Sequence, residues 1–222
     1  MEFPPFVIIC GHYGCGKTNL SLNIAIAQAR LGKNVTLVDL DVVNPYFRSS
    51  DHSRLLEIYN IRLIAPKSAG GNLDAPALPP EILAVFDAPD DSSDFTIIDA
   101  GGDPVGATVL GRFSNRIIKK GYEMLYVVNR YRPETADAQT AAALLPEIEA
   151  ASHLCATGVV NNSHLMGETT RETVVASMRF ARETAARLEL PLKMVAVPRE
   201  LAAQFSQRDA FPIDVYVKTP WA

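Results

Sequence analysis

Short apolar runs alternate with longer amphipathic segments along nearly the whole chain. Seven of the runs have the length of strands, and most are apolar at consecutive positions, which is typical of strands buried on both faces of a sheet. These predicted strands lie at residues 6–10, 35–39, 61–65, 95–99, 124–129, 157–161 and 193–197.

Helical patterns lie between the predicted strands. One spans residues 17–31 and ends at Gly32, one runs from 80 to 86, and one extends from the capping box Thr169-x-x-Glu172 to about residue 189. This alternation predicts right-handed crossovers and an α/β sandwich, in which a parallel sheet is covered by helices on both faces. Ligands of such sheets bind beyond the carboxyl ends of the strands.

The stretch 66–94 is the least regular part of the chain. It contains five prolines, the pair Gly70-Gly71 and the acidic pair Asp90-Asp91, a composition typical of surface connections. Two interpretations stay open: a plain crossover around one short helix, or a loop that binds a substrate or a partner.

Composition and charge narrow the class of protein. Of the 222 residues 48% are hydrophobic, and 21 Lys+Arg against 25 Asp+Glu give a net charge of −4. We therefore expect a globular chain with a single domain over residues 1–222 and no nucleic-acid partner. Neither a secretory signal nor an apolar stretch of the roughly 20 residues that span a bilayer is evident, and the three cysteines form no pair. We expect a cytoplasmic protein without membrane contact.

A glycine-rich sequence follows the first predicted strand directly and leads into the first helix. It fits G-x-x-x-x-G-K-[ST], the phosphate-binding loop (P-loop), in the strand–loop–helix context that this motif requires. Its backbone N–H groups can surround an anion, the lysine supplies a full charge, and the threonine hydroxyl can bind Mg²⁺. The residues expected to contact a nucleotide are Gly11, His12, Tyr13, Gly14, Cys15, Gly16, Lys17, Thr18 and the following Asn19.

Three aspartates stand at predicted strand ends. Asp99 ends an apolar strand and would be costly to bury without a cation nearby, so we assign it to Mg²⁺; Gly102, in the D-x-x-G spacing, offers a backbone N–H to a γ-phosphate. Asp39 and Asp41 share one face of an extended strand. We assign Asp39 to the shell of the metal and Asp41 to positioning the attacking water.

With these three motifs in this order, the chain resembles the ParA/MinD/ArsA-like (SIMIBI) class of P-loop NTPases from Phe6 to about Val215. The resemblance implies a mostly parallel sheet of seven or eight strands and a homodimer around two ATP molecules. It also implies that the loop beginning at Val197-Pro198 closes over the base.

One departure concerns the signature lysine of that class, because His12 occupies its position. An imidazole would contact phosphate only when protonated. Arg130 and Arg132, after the fifth strand, are alternative sources of positive charge, or simply residues of a solvated loop.

The end of the sixth strand bears on the choice of base. Guanine-specific sites use N-K-x-D, whereas this chain has Asn161, Asn162, Ser163 and His164. Asn161 retains a donor and an acceptor that match an adenine edge, so ATP is favoured over GTP.

Three functions are compatible with these residues. The first is a Mg²⁺-dependent ATPase that acts as a conformational or assembly switch on an unknown protein client. The second is an ATP-dependent small-molecule kinase or ligase, related to dethiobiotin synthetase and cobyrinate amidase, with its acceptor held by residues 66–94. The third is a nucleotide sensor that does not hydrolyse its ligand.

Overall fold

Eight strands form one parallel sheet among the described residues of the computed structural model, which are 2–41, 52–65, 80–87, 91, 93–102, 104–206 and 209–217. The strands are β1 (Phe6–Cys10), β2 (Asn34–Asp39), β3 (Arg62–Ile64), β4 (Asp94–Asp99), β5 (Glu123–Val128), β6 (Gly158–Asn161), β7 (Leu192–Pro198) and β8 (Ala210–Ile213). Their order across the sheet is β3-β2-β4-β1-β5-β6-β7-β8, and every neighbouring pair is parallel.

Helices cover both faces of this sheet. They are α1 (Lys17–Arg30), α2 (Ser53–Ile58), α3 (Glu81–Asp87), α4 (Pro104–Gly111), α5 (Ser114–Lys120), α6 (Ala138–Ser152) and α7 (Arg171–Arg187). Side chains of β1 alternate between the two layers: Val7 and Ile9 pack in the core under α1, whereas Phe6, Ile8 and Cys10 pack in the core under α4 to α7. A strand that is buried on both faces must be apolar at every position, which explains the continuous apolar runs.

The predicted α/β architecture with a parallel sheet is confirmed, and the sheet has the upper of the two expected strand numbers. β8, at Ala210–Ile213, is a strand that the apolar runs did not predict. Its short sequence, Ala-Phe-Pro-Ile, contains a proline, which has no N–H to donate and is therefore found in edge strands. β8 does lie at an edge of the sheet.

The predicted capping box is displaced by one residue. Thr170, and not Thr169, accepts from the N–H of Thr173 and caps α7, and Thr173 returns the contact to the Thr170 N–H. The Thr169 hydroxyl instead donates to the Met166 carbonyl at 2.7 Å. Most of the 66–94 stretch lies outside the described residues, apart from α3 and a few positions around it.

The predicted ligand site lies at the end of the sheet where the carboxyl ends of β1, β2 and β4 meet. β1 is central, with β4 on one side and β5 on the other, so chain segments leaving its carboxyl end meet those leaving its neighbours. No helix among the described residues has the length and hydropathy needed to cross a bilayer.

Candidate functional site

The glycine-rich loop after β1 leaves the start of α1 open to a ligand. Gly16 precedes the helix with φ +90°, and a Cβ there would collide with the Asn162 amide, so only glycine fits. Asn162 fastens the loop by donating to the Cys15 carbonyl at 2.8 Å. No side chain caps α1 and no acidic residue stands in its first turn. The N–H groups and the positive end of this helix therefore favour an anion.

Lys17 lies inside this loop and is only 6% exposed. Its Nζ donates to the His12 carbonyl at 3.3 Å. Gly102 packs against the same group, because a Cβ at that position would lie 2.7 Å from Nζ and 2.8 Å from the Tyr13 nitrogen. The backbone of the D-x-x-G turn thus reaches the P-loop, as its predicted contact with a terminal phosphate requires.

Asp39 and Asp99 end neighbouring strands and face each other in the register of β2 and β4. Both are buried. Burial raises the pKa of Asp99 to about 6, while the Lys17 charge and a hydrogen bond from Thr18 act in the opposite direction. An additional cation at this position would favour the ionised carboxylate.

Asp41 follows Asp39 and differs from it in surroundings. The Asp41 N–H donates to Asp39 Oδ1 at 3.0 Å, so the first aspartate fixes the backbone of the second. Asp41 itself lines the cavity above the P-loop together with Lys17 and Thr18.

The oxygen ligands at this edge suit Mg²⁺, which prefers carboxylate, hydroxyl and phosphate oxygens and keeps part of its water shell. Among the residues that the structure describes, no three His, Cys, Asp or Glu side chains form a cage for a metal. The carboxylates of Asp39, Asp41 and Asp99 and the Thr18 hydroxyl offer oxygen ligands of the kind that hold an ion shared with a phosphate.

The cavity above the loop is bounded by five parts of the chain: the P-loop with the start of α1, and the segments that follow β2, β5, β6 and β8. The described residues that line it are Tyr13, Gly14, Gly16, Lys17, Thr18, Asn19, Asp41, Asn129, Arg132, His164, Met166, Val215 and Val217. Of these, Met166, Val215 and Val217 supply apolar surface, and the P-loop supplies the polar floor.

The segment after β8 forms one wall because α1 holds it. Asn19 Oδ1 accepts from the N–H groups of Tyr216 and Val217 at 2.8 and 3.2 Å. Asn23 both donates to the Asp214 carbonyl and accepts from its N–H, at 2.8 and 2.7 Å. Asn19 therefore lines the cavity, and its amide fastens this wall.

The structure corrects the prediction for Asn161. Its side chain is fully buried, donates to Ser177 Oγ at 2.8 Å and accepts from the Ser163 N–H at 3.2 Å. The amide is thus committed to α7 and to its own turn, and it does not line the cavity. His164 does line it.

Pro198 also lies elsewhere. It ends β7 and pairs in register with Ile213 of β8, and it is absent from the described lining of the cavity, whereas Val215 and Val217 are present. Within the P-loop, Gly11, His12 and Cys15 contribute to the loop without lining the cavity. The Cys15 side chain is buried in the core, where burial raises the pKa of the thiol.

Several lining residues had no assigned role in the sequence. Met166, Val215 and Val217 carry no motif, and Asn129 is simply the residue after β5. His164 was visible only as the histidine that replaces the aspartate of N-K-x-D. Its Nε2 is buried without a hydrogen-bond partner among the described residues, and burial together with Arg132 lowers its pKa to about 4.

Comparison with known families identifies a nucleotide-binding domain over most of the chain. The model described as CbiA, the CobQ/CobB/MinD/ParA nucleotide binding domain, matches residues 6–165. No curated protein sequence is similar enough to count as a match.

Similar solved structures include the cell division protein FtsY from Thermotoga maritima, with a TM-score of 0.57 and 22% identity over 89% of this chain and 63% of that one. The signal recognition particle receptor FtsY from Elizabethkingia anophelis in complex with GDP has a TM-score of 0.54 and 19% identity over 89% and 58%. The 54 kDa signal recognition particle protein from Aeropyrum pernix in complex with GDP has 0.53 and 18% over 87% and 41%. This chain therefore spans less than two thirds of the length of those chains, and at these identities the likeness concerns the fold.

Proposed function

The chain belongs to the CobQ/CobB/MinD/ParA nucleotide-binding domain family, and we propose that it is a Mg²⁺-dependent ATPase that acts as a conformational or assembly switch. One observation carries the proposal: Lys17, Thr18 and Asp41 line a single cavity at the open end of α1, and all three act on the buried carboxyl of Asp99. Asp41 is the carboxylate that this proposal gives a task beyond binding the metal.

Each side chain has a separate task in this proposal. The loop N–H groups and Lys17 bind the phosphate chain and offset its charge, while Thr18 and Asp99 hold the metal, with Asp39 in its outer shell. Mg²⁺, when bound, neutralises part of the negative charge on the phosphates. Asp41 accepts a hydrogen bond from water and orients it for in-line attack on the terminal phosphorus.

ATP is proposed over GTP on the chemistry of the lining. Guanine presents two N–H donors that a carboxylate accepts together, and Asp41, on the phosphate side, is the one carboxylate among the described lining residues. His164, at the position of the guanine-reading aspartate, is neutral above about pH 5 because its pKa is lowered to about 4. Met166, Val215 and Val217 then offer a purine an apolar contact. Two of the similar structures contain GDP, so the choice of base requires its own measurement.

Titration calorimetry of ATP and GTP, each with and without Mg²⁺, tests the proposal. We expect saturable binding that requires Mg²⁺, tighter for ATP, and release of phosphate without any added acceptor. Tight binding without turnover would favour a sensor, and turnover only with an added acceptor would favour a kinase or ligase. Absence of saturable binding by either nucleotide would reject all three.

Self-association is the second part of the proposed switch. Tyr13, a residue of the P-loop, is 49% exposed, and its side chain offers a second copy an aromatic contact next to the nucleotide. Light-scattering mass measurements with ATP, ADP and no nucleotide test this. The mass of a monomer under all three conditions would exclude a homodimer. The switch would then be a change within one chain or assembly with a different protein.

A further inference from the structure

The loop between β5 and α6 carries two arginines that the structure separates by their surroundings. This loop is firmly held: the Thr135 hydroxyl donates to the Asn129 carbonyl at 2.7 Å, and the Tyr131 hydroxyl donates to the Thr173 carbonyl of α7 at 2.6 Å. The backbone of the loop is therefore held in place, and with it the positions from which its side chains extend.

Arg130 is committed to α7. Its guanidinium donates to the Ala176 carbonyl at 2.6 Å, and its backbone N–H donates to Ser163 Oγ at 2.9 Å. It does not line the cavity above the P-loop. Arg130 is thus a structural connection between the loop and the helix.

Arg132 has the opposite surroundings. It lines the cavity, and its Cδ and Nε lie against the P-loop, each 3.8 Å from the point where a Cβ of Gly14 would be. Its Nε is buried and has no hydrogen-bond partner among the described residues. No ion pair in the described part of the chain includes Arg132.

The charge of this cavity depends on that arginine. Lys17 and Arg132 are the two permanently cationic side chains among its described lining residues. His12, in contrast, turns its Nδ1 toward the Tyr13 carbonyl at 3.1 Å and does not line the cavity. A polyphosphate bound along the loop from Gly14 to Thr18 would have Lys17 on one side and Arg132 over Gly14.

We infer that Arg132 supplies, from within the same chain, the second cationic contact to the phosphate chain of the bound nucleotide. The inference rests on the proposed function and adds to it a second phosphate-binding side chain and a consequence for nucleotide binding by a monomer. A guanidinium presents a planar set of donors that matches phosphate oxygens. Because the contact comes from the same chain, a monomer has a complete set of charges for binding.

The test compares Arg132→Gln with Arg130→Gln, a matched control two residues away on the same loop. Calorimetric titrations with ATP, ADP and AMP in Mg²⁺ buffer, and with inorganic tripolyphosphate, measure the contact directly. We expect Arg132→Gln to weaken ATP and tripolyphosphate about tenfold to 100-fold and AMP far less. Arg130→Gln should keep the wild-type affinities, and Arg132→Lys should recover part of the loss.

Salt dependence gives a second measurement that does not depend on turnover. Removal of a cation that contacts phosphate should make the affinity of Arg132→Gln fall less steeply with added salt than that of the wild type. Wild-type binding of ATP together with an unchanged affinity of Arg132→Gln would overturn the inference and leave the proposed function standing. A wild-type protein that binds none of the probes would overturn both.

Discussion

At the scale of single residues, Lys17 occupies a position where charge is needed even before a ligand binds. It is buried near Asp99, and its positive charge lowers the pKa of that carboxyl against the effect of burial. A bound triphosphate would add several negative charges to the same place. We expect Lys17→Ala to weaken ATP binding on the order of 100-fold or more, because charge-assisted contacts in a site with little water are the strong ones.

Titration calorimetry checks this expectation, with Lys119→Ala as the control. Lys119 lies in the last turn of α5, away from the cavity, so its loss should leave the affinity unchanged. An affinity of Lys17→Ala within threefold of the wild type would exclude the P-loop contact as the main source of binding.

Asp41 and Asp39 are chemically alike but have different positions in the site. Asp39 Oδ1 accepts the Asp41 N–H, an acceptor that asparagine retains, whereas Asp41 lines the cavity. We expect Asp41→Asn to retain ATP binding and to slow phosphate release about 100-fold or more, the range of general-base contributions. Steady-state hydrolysis beside a binding titration separates the two effects. Turnover by Asp41→Asn equal to that of the wild type would remove this carboxylate from the mechanism.

At the scale of elements, the wall formed by residues 214–217 depends on α1. Asn23 makes two of the hydrogen bonds that hold Asp214, and Arg199 adds a bidentate contact to the carboxylate of the same residue, from Nε to Oδ1 and from Nη2 to Oδ2. We expect Asn23→Ala to cost about 1–3 kcal/mol of stability, because the part-buried Asp214 N–H loses its acceptor and the Asp214 carbonyl keeps only the donor from Asn19. ATP affinity should fall severalfold, since Val215 and Val217 would be held against the cavity less firmly, by the bonds from Asn19 and Arg199.

Amide hydrogen exchange distinguishes this effect from general destabilisation. Residues 214–217 should exchange faster in Asn23→Ala while β1 and β5 keep their protection. Asn34→Ala, which removes an exposed amide that bonds Asp94, is the control. Uniformly faster exchange across the sheet would show that Asn23 supports the whole core and not this wall.

The elements also show which parts of the site a sequence can predict. Strand β1, the P-loop and α1 are consecutive, so one motif places Gly16, Lys17 and Thr18 together without knowledge of the rest. Residues after β6 are different. Side chains alternate at a strand end, so Asn161 points to α7 and Asn162 to the P-loop, and choosing between two adjacent asparagines requires the register.

Contacts between segments that are distant along the chain are harder still to predict from the sequence. Asn19 and Val217 are 198 positions apart, and neither belongs to a motif that names the other. Arg132 differs from Arg130 only in what the fold places beside it. A sequence pattern indicates positive charge on this loop, but the assignment to a single side chain comes from packing.

At the scale of the whole molecule, the two larger hydrophobic cores share one sheet. β1 contributes Val7 and Ile9 to one core and Phe6, Ile8 and Cys10 to the other. We propose on this ground that the chain is a single domain, because neither core can come apart without loss of the strands that build the other. A local change in protonation should then alter the stability of the whole.

His164 is the group in the cavity with the clearest effect of this kind. Its pKa is lowered from 6.5 to about 4, first by burial and then by Arg132. Above pH 6.5 the imidazole is neutral in the folded and the unfolded chain, so its contribution to stability is complete. As the pH falls from 6.5 toward 4, the unfolded chain takes up a proton that the folded chain does not, and stability is lost. The full loss is about 3 kcal/mol, given 1.36 kcal/mol for each pKa unit.

Urea unfolding of the wild type and His164→Asn at pH 7, 6, 5 and 4.5 measures this loss. Asparagine can still accept from the Met166 N–H, as His164 Nδ1 does at 3.3 Å, but it does not titrate. Asp99, whose pKa is raised to about 6, changes stability in the opposite direction, and it does so in both proteins. The difference between the two free energies of unfolding therefore isolates the histidine. It should shift in favour of His164→Asn as the pH falls, and a difference that is independent of pH would show that His164 accepts its proton in the folded protein as readily as in the unfolded one.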